Sequence, residues 1–455
     1  MPQLTLSTLG DPLPQRFLVD SLPGAGAGAG AQPGAGAGPY PGAGVGGRLK
    51  VRPEDFLVDE IPLYEPCGEG EHVYLRVQKT NVPHAELLAA VRKAFGVTDR
   101  AIGFAGMKDK HGVTQQTISI HLPKREVDAV RGVDLKHGRI AVLWTSRHRN
   151  KLRTGHLKGN RFSIRIREVD PLKAPLVMKA LRMMEQRGVP NYFGPQRFGY
   201  RRNNHVMGAL ALRGQWKELL DELLGRSGAP FPEYQARRRK LYEQGQFAEA
   251  MAEWTIADRA EMAALKALSQ GASATEACRR MGKYGLTFFV NAFQSAVFNR
   301  LLDRRLDEGK LDVLEEGDLA WRHDRRHVFR VTAEELATGE LPGRLERLEV
   351  SPTGPLWGSG MTRAGGAVDA AECEALQSTG LSVEEVVNSR RSPTGARRPM
   401  REQVTNATAD SGFDEHGPFI RVAFDLPRGV YATVLLREIM RTDDGLEASH
   451  DTDWE

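Results

Sequence analysis

Two hydrophobic periodicities alternate along residues 72–187 and predict a domain that mixes strands and helices. In HVYLRV (72–77) every second residue is apolar, which predicts a strand with one buried face. In VPHAELLAAVRKAFG (82–96) apolar residues recur every three or four positions between a proline and a glycine, which predicts a helix. Further strands are predicted at AIGFA (101–105), QTISIH (116–121) and RFSIRIR (161–167), and a further helix at 171–187.

The pattern changes after Gly188 and returns near the carboxyl end. PNYFGPQRFGYRRNNH is typical of a loop, and a helix-rich region follows through about Gly309. A strand pattern reappears in FIRVAFDL (419–426) and an amphipathic helix in YATVLLREIM (431–440). A chain that leaves a sheet and later returns to it indicates an inserted domain, with the first domain split in sequence.

The amino-terminal segment is dominated by glycine and alanine. Residues 24–47 read GAGAGAGAQPGAGAGPYPGAGVGG, which cannot bury enough apolar surface to offset backbone entropy. We therefore predict that residues 1–47 form a disordered arm and that the folded body begins near Arg48. The acidic segment 442–455 is predicted to be a frayed tail.

Composition places the chain among soluble globular proteins. Its 455 residues are 40% hydrophobic and 27% charged, and this length favours two domains. The three cysteines are scattered, which disfavours a zinc site or a disulfide framework and agrees with a reducing cytoplasm. We find no signal-peptide pattern and no apolar run near the ~20 residues that span a bilayer, so we expect a cytoplasmic protein without a membrane partner.

The distribution of charge is more informative than the formal net charge of +5. Residues 135–167 contain no acid but ten lysines and arginines. Such a segment predicts a surface that faces a polyanion, most commonly a nucleic acid. The phosphate-contact candidates in it are Arg147, Arg149, Lys151, Arg153 and Lys158. Further basic islands lie at 237–240, 321–330 and 389–401.

One carboxylate stands out as candidate chemistry. Asp109 lies between Lys108 and Lys110 in GFAGMKDKHGVTQQ (103–116), a tight loop between two predicted strands. Neighbouring cations favour the ionised carboxylate, which is a poor proton donor but can act as an attacking group. The chain has no phosphate-binding P-loop, no G-x-S-x-G elbow and no H-E-x-x-H motif.

Five segments in fixed order carry a family resemblance. They are PEDFLVDE (53–60), the Asp109 segment, KGNRF (158–162), PNYFGPQRFG (190–199) and LPRGVYAT (426–433). Together they resemble the TruD family of tRNA pseudouridine synthases, over about residues 50 to 441. The G-x-K-D-K-x-x-x-T-Q pattern around Asp109 is the most specific of them.

The resemblance implies an α+β fold. A pseudouridine synthase catalytic domain, with a mixed and largely antiparallel sheet and flanking helices, would occupy 48–187 and 404–441. A family-specific α/β domain would be inserted at 188–403. The two domains would form a V with a basic cleft.

The resemblance also implies an activity: conversion of uridine to pseudouridine in tRNA, at uridine 13 in the D-arm region. Asp109 would be the catalytic aspartate, and Phe56, Asn160 and Tyr431 would contact the substrate. Family members often have phenylalanine at the position of Tyr431. The isomerisation imports no group, so no cofactor, no metal and no obligatory protein partner are expected.

The cation partner of Asp109 is Lys50 by this resemblance, with Lys108 and Lys110 as alternatives that could instead meet phosphates. Addition of Asp109 to the ribose and proton abstraction to give a glycal both remain open routes. Two rival functions also remain open. One is a metal-dependent RNA nuclease or processing enzyme that combines Asp109 with Glu54, Asp55 or Asp59. The other is a non-catalytic RNA-binding protein.

Overall fold

The computed structural model describes residues 4–18, 44–123, 133–135, 138–255 and 258–442. The chain divides into two compact units. The inserted unit comprises residues 1–22 and 190–401, and the sheet unit comprises 23–189 and 402–455. The second segment of the inserted unit, 190–401, begins and ends two residues inside the predicted limits of 188 and 403, and the amino-terminal segment joins it.

The described chain begins in the inserted unit with one short helix, α1 (Leu6–Leu9), and continues into the sheet unit. The first strands of the sheet unit are β1 (Phe56–Pro62), β2 (His72–Thr80), β3 (Ile102–Phe104), β4 (Val113–His121), β5 (Val133–Leu135), β6 (Gly138–His148) and β7 (Leu157–Arg167). Its first helices are α2 (His84–Phe95) and α3 (Ala174–Arg187), with single 3-10 turns at Pro53–Asp55, Asp99–Ala101 and Pro171–Lys173.

The chain crosses to the inserted unit in strand β8 (Val189–Pro190) and returns in β13 (Arg401–Glu402). The helices between the crossings are α4 (Asn204–Arg213), α5 (Trp216–Leu224), α6 (Ala236–Glu243), α7 (Phe247–Ala252), α8 (Arg259–Ser269), α9 (Ala274–Arg280), α10 (Gly282–Asp307), α11 (Ala333–Ala337), α12 (Glu340–Glu346), α13 (Gly366–Gln377) and α14 (Val383–Val387). The strands are β9 (Leu319–Arg322), β10 (His327–Arg330), β11 (Val350–Leu356) and β12 (Ala396–Pro399), and 3-10 turns lie at Pro195–Arg197 and Glu233–Gln235. The sheet unit is completed by β14 (Thr405–Asp414), β15 (Gly417–Pro427) and α15 (Ala432–Met440).

The main sheet has the strand order β14-β15-β7-β1-β4-β2-β6-β5, and β3 pairs with β4 outside this path. Only the β1–β4 pairing among these described strands is parallel. The mixed, largely antiparallel sheet that the resemblance implied is therefore confirmed. In the inserted unit, helices accompany one small antiparallel sheet of order β10-β9-β11-β12.

The parallel pairing decides where the candidate chemistry lies. Leu57 of β1 is in register with Val113 of β4, so both strands begin at the same edge of the sheet. The segment that precedes β1 carries Lys50, and the loop that precedes β4 carries Asp109. One face of β2 and β4 packs against α2 through a core that includes Val77, Leu87 and Ile118. Among the described residues, no helix is long and apolar enough to cross a membrane.

The prediction that residues 1–47 form a disordered arm is wrong for both described parts of this segment, 4–18 and 44–47, which pack against the folded units. Leu4, just before α1, and Leu9, at the end of α1, are both buried in the core of the inserted unit. Asn299 Nδ2 donates to the Pro12 carbonyl at 2.9 Å, which fixes the segment to α10. At the other end, Val45 N donates to Ile439 O at 3.1 Å in the sheet unit. Residues 1–3 and 19–43 of the arm, and residues 443–455 of the predicted tail, lie outside the described residues.

We therefore predict that Leu9→Ala lowers the free energy of unfolding by about 2–3 kcal/mol, because it opens a cavity in a packed core. Urea denaturation measures the loss. Ser7→Ala, on the exposed side of the same helix, is the matched control and should stay within about 0.5 kcal/mol of the parent protein. Equal stability of both variants would contradict the integral role of this segment.

Candidate active site

Asp109 and Lys50 form an ion pair at the edge where β1 and β4 begin. Lys50 Nζ lies 3.1 Å from Asp109 Oδ2, and the Asp109 side chain is 55% exposed while that of Lys50 is 12% exposed. The backbone of Lys50 has φ of 54°, in the left-handed region that a residue with Cβ rarely adopts. The arrangement therefore holds a carboxylate open to solvent with one fixed ammonium group beside it.

Lys108 anchors the loop that carries Asp109, which we call the Asp109 loop (105–112). Its Nζ lies 2.8 Å from Glu60 Oε2, and both side chains are at most 5% exposed. The other Glu60 oxygen accepts a hydrogen bond from Thr117 N at 3.1 Å. Lys108 is thus committed to an internal pair, so it is neither the partner of Asp109 nor a phosphate contact. Neighbouring side chains on extended backbone point to opposite sides, which leaves Asp109 facing outward.

Gly112 ends the Asp109 loop in a conformation that requires glycine. Its φ is 137°, and a Cβ there would lie 2.6 Å from the Phe56 carbonyl oxygen. The loop therefore passes directly against the first residue of β1. Gly106, in the same loop, has room for a side chain, since the atom nearest to a Cβ at that position would be Lys108 Nζ at 3.7 Å.

Phe56 lies beneath Lys50 and is 3% exposed. The Lys50 ammonium is 4.4 Å from the centre of its ring, a cation–π contact. The ring also meets Phe162 edge-on at 6.4 Å between centroids. These contacts place Phe56 beneath Lys50, with the ammonium group over one face of its ring, and a contact of Phe56 with the substrate stays a prediction.

Asn160 and Tyr431 are the other two expected substrate contacts. Asn160 lies on β7 in register with Glu60 of β1, on the same face of the sheet. Its Oδ1 atom is buried and has no hydrogen-bond partner among the described residues, which leaves it an unsatisfied acceptor. Tyr431 is half-buried at the residue before α15, and the described residues offer its hydroxyl no hydrogen bond.

A series of hydrogen bonds links these residues to the Asp109 loop. Gly155 N donates to Ala105 O at 2.7 Å, at the start of the loop. Arg428, in the turn before Tyr431, donates through its guanidinium to Gly155 O and through its backbone to Lys158 O. The turn, the segment 155–158 and the Asp109 loop therefore support one another within the sheet unit.

Much of the acid-free segment is engaged internally. Arg147 donates to the carbonyls of Gly70 and Leu122, Arg149 pairs with Glu69, and Lys151 donates to Arg100 O at 2.6 Å. Arg153 and Lys158, in contrast, are exposed and form no side-chain hydrogen bond or ion pair with the described residues. Of the five predicted phosphate contacts, these two are the most available.

The arginines of β7 are also paired, so this face is not a free basic surface. Arg161 binds Asp425 through two hydrogen bonds of 2.9 and 3.0 Å. Arg167 binds Asp55 at 2.7 Å and Asp414 at 2.6 Å, and its hydrogen bonds hold the pKa of Asp414 well below the ordinary aspartate value. In the inserted unit, Arg239 and Arg401 of the predicted basic islands are fully buried structural side chains.

The acids that a nuclease would need are separated by these pairs. Asp55 faces Arg167, Asp59 faces Arg76, and Asp109 faces Lys50. Within the described part of the chain, no group of three or more His, Cys, Asp or Glu side chains is arranged to hold a metal ion. The observed geometry therefore offers a cation-paired carboxylate rather than a carboxylate cluster.

Comparison with known proteins identifies the family. The family model described as tRNA pseudouridine synthase D (TruD) matches residues 40–439. The chain belongs to the TruD family. It is 37% identical over 399 residues to tRNA pseudouridine synthase D of Geotalea daltonii, with 87% of this chain and 97% of the relative covered. It is 36% identical over 411 residues to the protein of that name from Thermus thermophilus, with 89% and 92% covered.

A solved structure supports the same family assignment. The crystal structure of a TruD protein from Methanosarcina mazei matches with a TM-score of 0.74 and 28% identity, covering 89% of this chain and 95% of that one. The α+β fold, with its mixed sheet, is therefore that of the family.

Sequence reasoning missed Glu60 and a second buried residue of this region, Lys79. Lys79 is fully buried on β2, and Glu60 is 2% exposed on β1. The alternation of the two strands could have revealed both residues. Lys79 lies on the same face of β2 as the apolar residues Val73, Leu75 and Val77. Glu60 lies on the same face of β1 as Phe56 and Val58. A charge at a position of the buried face needs a partner, and here both partners are parts of the Asp109 loop.

We predict that Gly112→Ala lowers the free energy of unfolding by about 1–3 kcal/mol, because the added carbon collides with backbone and the φ value is strained. Chemical denaturation of the purified variant measures the loss. Gly106→Ala in the same loop should be neutral or slightly stabilising. A loss of similar size in both variants would show that the close approach to Phe56 is not the constraint.

Proposed function

We propose that the protein is a tRNA pseudouridine synthase, an isomerase in which Asp109 acts on the ribose of a uridine. The observation that carries the proposal is the exposed Asp109 carboxylate, paired with Lys50 on a loop that Lys108 anchors to Glu60. Membership of the TruD family supports the reaction class.

The reaction breaks the bond between uracil N1 and ribose C1′, turns the base and joins C5 to C1′. The C5 proton is then lost and N1 gains one, so no group is imported and no cofactor is expected. Asp109 can serve by adding to C1′ or by removing the proton on C2′. Either route uses the anionic form, and Lys50 at 3.1 Å stabilises that form.

We propose that Asn160 recognises the uracil base through its unsatisfied Oδ1 acceptor. The buried Asn160 Oδ1 without a partner fits a uracil N–H donor, which would satisfy it. Tyr431 offers a half-buried ring for stacking, worth about 1–3 kcal/mol per base, against the few kcal/mol that extrusion of the nucleotide costs. By family resemblance, the target is uridine 13 in the D-arm region of tRNA.

Phosphate contacts are proposed for the two available cations near the site. Arg153 lies two residues before Gly155, which bonds the Asp109 loop, and Lys158 lies two residues before Asn160. Phosphate contacts position a nucleic acid without reading its sequence. Arg147, Arg149 and Lys151 remain proposed contacts of lower availability, because each already binds a protein group.

We predict that Asp109→Asn reduces formation of pseudouridine by about 10⁴-fold or more, because the anion is lost while the shape is kept. Affinity for tRNA should stay close to that of the parent protein, since one acid contributes no attraction to a polyanion. The assay incubates unmodified tRNA with the protein and maps new pseudouridine by carbodiimide primer extension.

The same assay in EDTA separates the rival functions. Full turnover in the chelator supports the isomerase, whereas metal-dependent strand cleavage would favour the nuclease. Unchanged product formation by Asp109→Asn, with tRNA binding lost, would overturn the role of Asp109.

A second prediction concerns the salt dependence of tRNA binding. Replacing Arg153 and Lys158 together by glutamine should weaken binding and reduce the slope of log K against log salt by about 1.4 to 1.8, which corresponds to two phosphate contacts. Arg149→Gln is the matched control, because Arg149 already pairs with Glu69, and it should change the slope less. The proposal fails for Arg153 and Lys158 if the double variant keeps the parent slope.

A further inference from the structure

Lys79 ties three backbone carbonyls together beneath the Asp109 loop. Its Nζ donates to Val82 O at 2.7 Å, Lys108 O at 3.2 Å and Asp109 O at 2.5 Å. The side chain is fully buried. Two of the three acceptors belong to the Asp109 loop, and one of them belongs to Asp109 itself.

The number of contacts matches the protonated amine. An ammonium group has three N–H donors and no acceptor, so three carbonyls satisfy it completely. A neutral amine has two N–H donors and would leave one of the three buried oxygens without a partner. The three contacts therefore depend on the charge of Lys79, because a buried polar atom without a partner is costly.

The surroundings of Lys79 are poor in compensating charge. The Asp109 loop presents Asp109 and Lys108, and α2 presents His84. The neighbouring strands present uncharged residues, Thr114 on β4 and Ile140 on β6, in register with Lys79. Glu60, the acid of β1 that contacts the Asp109 loop, is already bound to Lys108.

Burial lowers the pKa of Lys79 to about 8; the charge of Asp109 opposes this shift, and the charge of Lys108 adds to it to a smaller extent. The pKa of His84 falls to about 4 through burial and then through Lys79 and Lys108, so His84 is neutral near pH 8. Lys79 is therefore the group beneath the loop whose charge changes in mildly alkaline solution.

We propose that the Lys79 ammonium group is a positioning residue for Asp109, which fixes the loop backbone so that the carboxylate stays beside Lys50. Deprotonation of Lys79 then loosens the Asp109 loop while the sheet beneath it stays folded. The kinetic consequence rests on the proposed function, and the loosening of the loop does not.

As the pH rises above about 8, the loop should loosen, whereas the contribution of Lys79 to the free energy of unfolding should increase. Because the folded pKa lies below the ordinary value of 10.5, the unfolded chain binds more protons than the folded one between about pH 8 and 10.5. The contribution of Lys79 to global stability therefore rises with pH across this interval. A loss of activity there, caused by Lys79, is a local effect and not unfolding.

The kinetic test compares pH profiles of single-turnover rates at saturating tRNA for the parent protein and Lys79→Met. The parent rate should fall above about pH 8, and Lys79→Met should be about 100-fold slower at pH 7 without that alkaline limb. Binding of tRNA should stay within about twofold. Lys93→Met, at an exposed position of α2, is the matched control and should keep the parent profile. An unchanged alkaline limb in Lys79→Met would overturn the proposal, and so would a normal rate at pH 7.

A second measurement uses the parent protein alone and needs no activity. Two amides report on the loop: Gly155 N–H, bonded to Ala105 O, and Asn81 N–H, bonded to Gly112 O. Hydrogen exchange, corrected for the intrinsic effect of pH, should show these amides losing protection between pH 7 and 9. Amides within β2 and β4 should keep theirs. Constant protection at both reporters would overturn the proposal even if the protein is a pseudouridine synthase, and lost protection would support it even if no pseudouridine forms.

Discussion

The site depends on holding one carboxylate in solvent while two of the lysines around it are buried. Lys108 is buried against Glu60, and Lys79 is buried against three carbonyls. Each buried ammonium group would cost several kcal/mol without its partners, so the loop backbone has little freedom to leave them. Asp109 directly follows Lys108, and its backbone carbonyl accepts a hydrogen bond from Lys79, so both anchors hold the backbone while the carboxylate stays exposed. In the K-D-K tripeptide, Lys108 therefore anchors the backbone, and Asp109, the next residue, exposes its carboxylate to solvent.

One parallel contact in an otherwise antiparallel sheet brings the ion pair together. In an antiparallel pair, neighbouring strands begin at opposite edges, so the segments that precede them lie apart. Because β1 and β4 run parallel, the segments that precede them share an edge, and Lys50 meets Asp109 across 59 residues of sequence. Gly112 lets the loop pass against Phe56, and Phe56 supports Lys50. The strand topology thus brings Lys50 and Asp109 to the same edge of the sheet, and local packing sets the distance of 3.1 Å between their charged groups.

Periodicity predicted the regular elements and failed where side chains break the pattern. β2 and α2 have one apolar face each, and both were predicted from it. β14 reads TNATADSGFD and lies at the edge of the sheet with polar residues on both faces, so it shows no alternation. The contact of Lys50 with Asp109 has no local signal, because it arises from strand pairing, and only the family resemblance indicated it. Leu4 and Leu9 were missed because a Gly/Ala-rich segment separates them from the rest of the folded chain.

Charge counted along the sequence overstates the charge that this protein offers to RNA. Ten cations in the acid-free segment predicted a broad basic surface, yet Arg161 and Arg167 bind acids that lie more than 240 residues away in the chain. Such pairs neutralise one another at short range and contribute little to a field beyond the Debye length of about 8–10 Å. Arg153 and Lys158, the two of the five candidate contacts that bind no group of the described residues, flank the segment that supports the Asp109 loop. If Asp109 is the catalytic group that we propose, these two cations draw a polyanion toward it, so the same arrangement would serve both electrostatic binding and placement of the substrate.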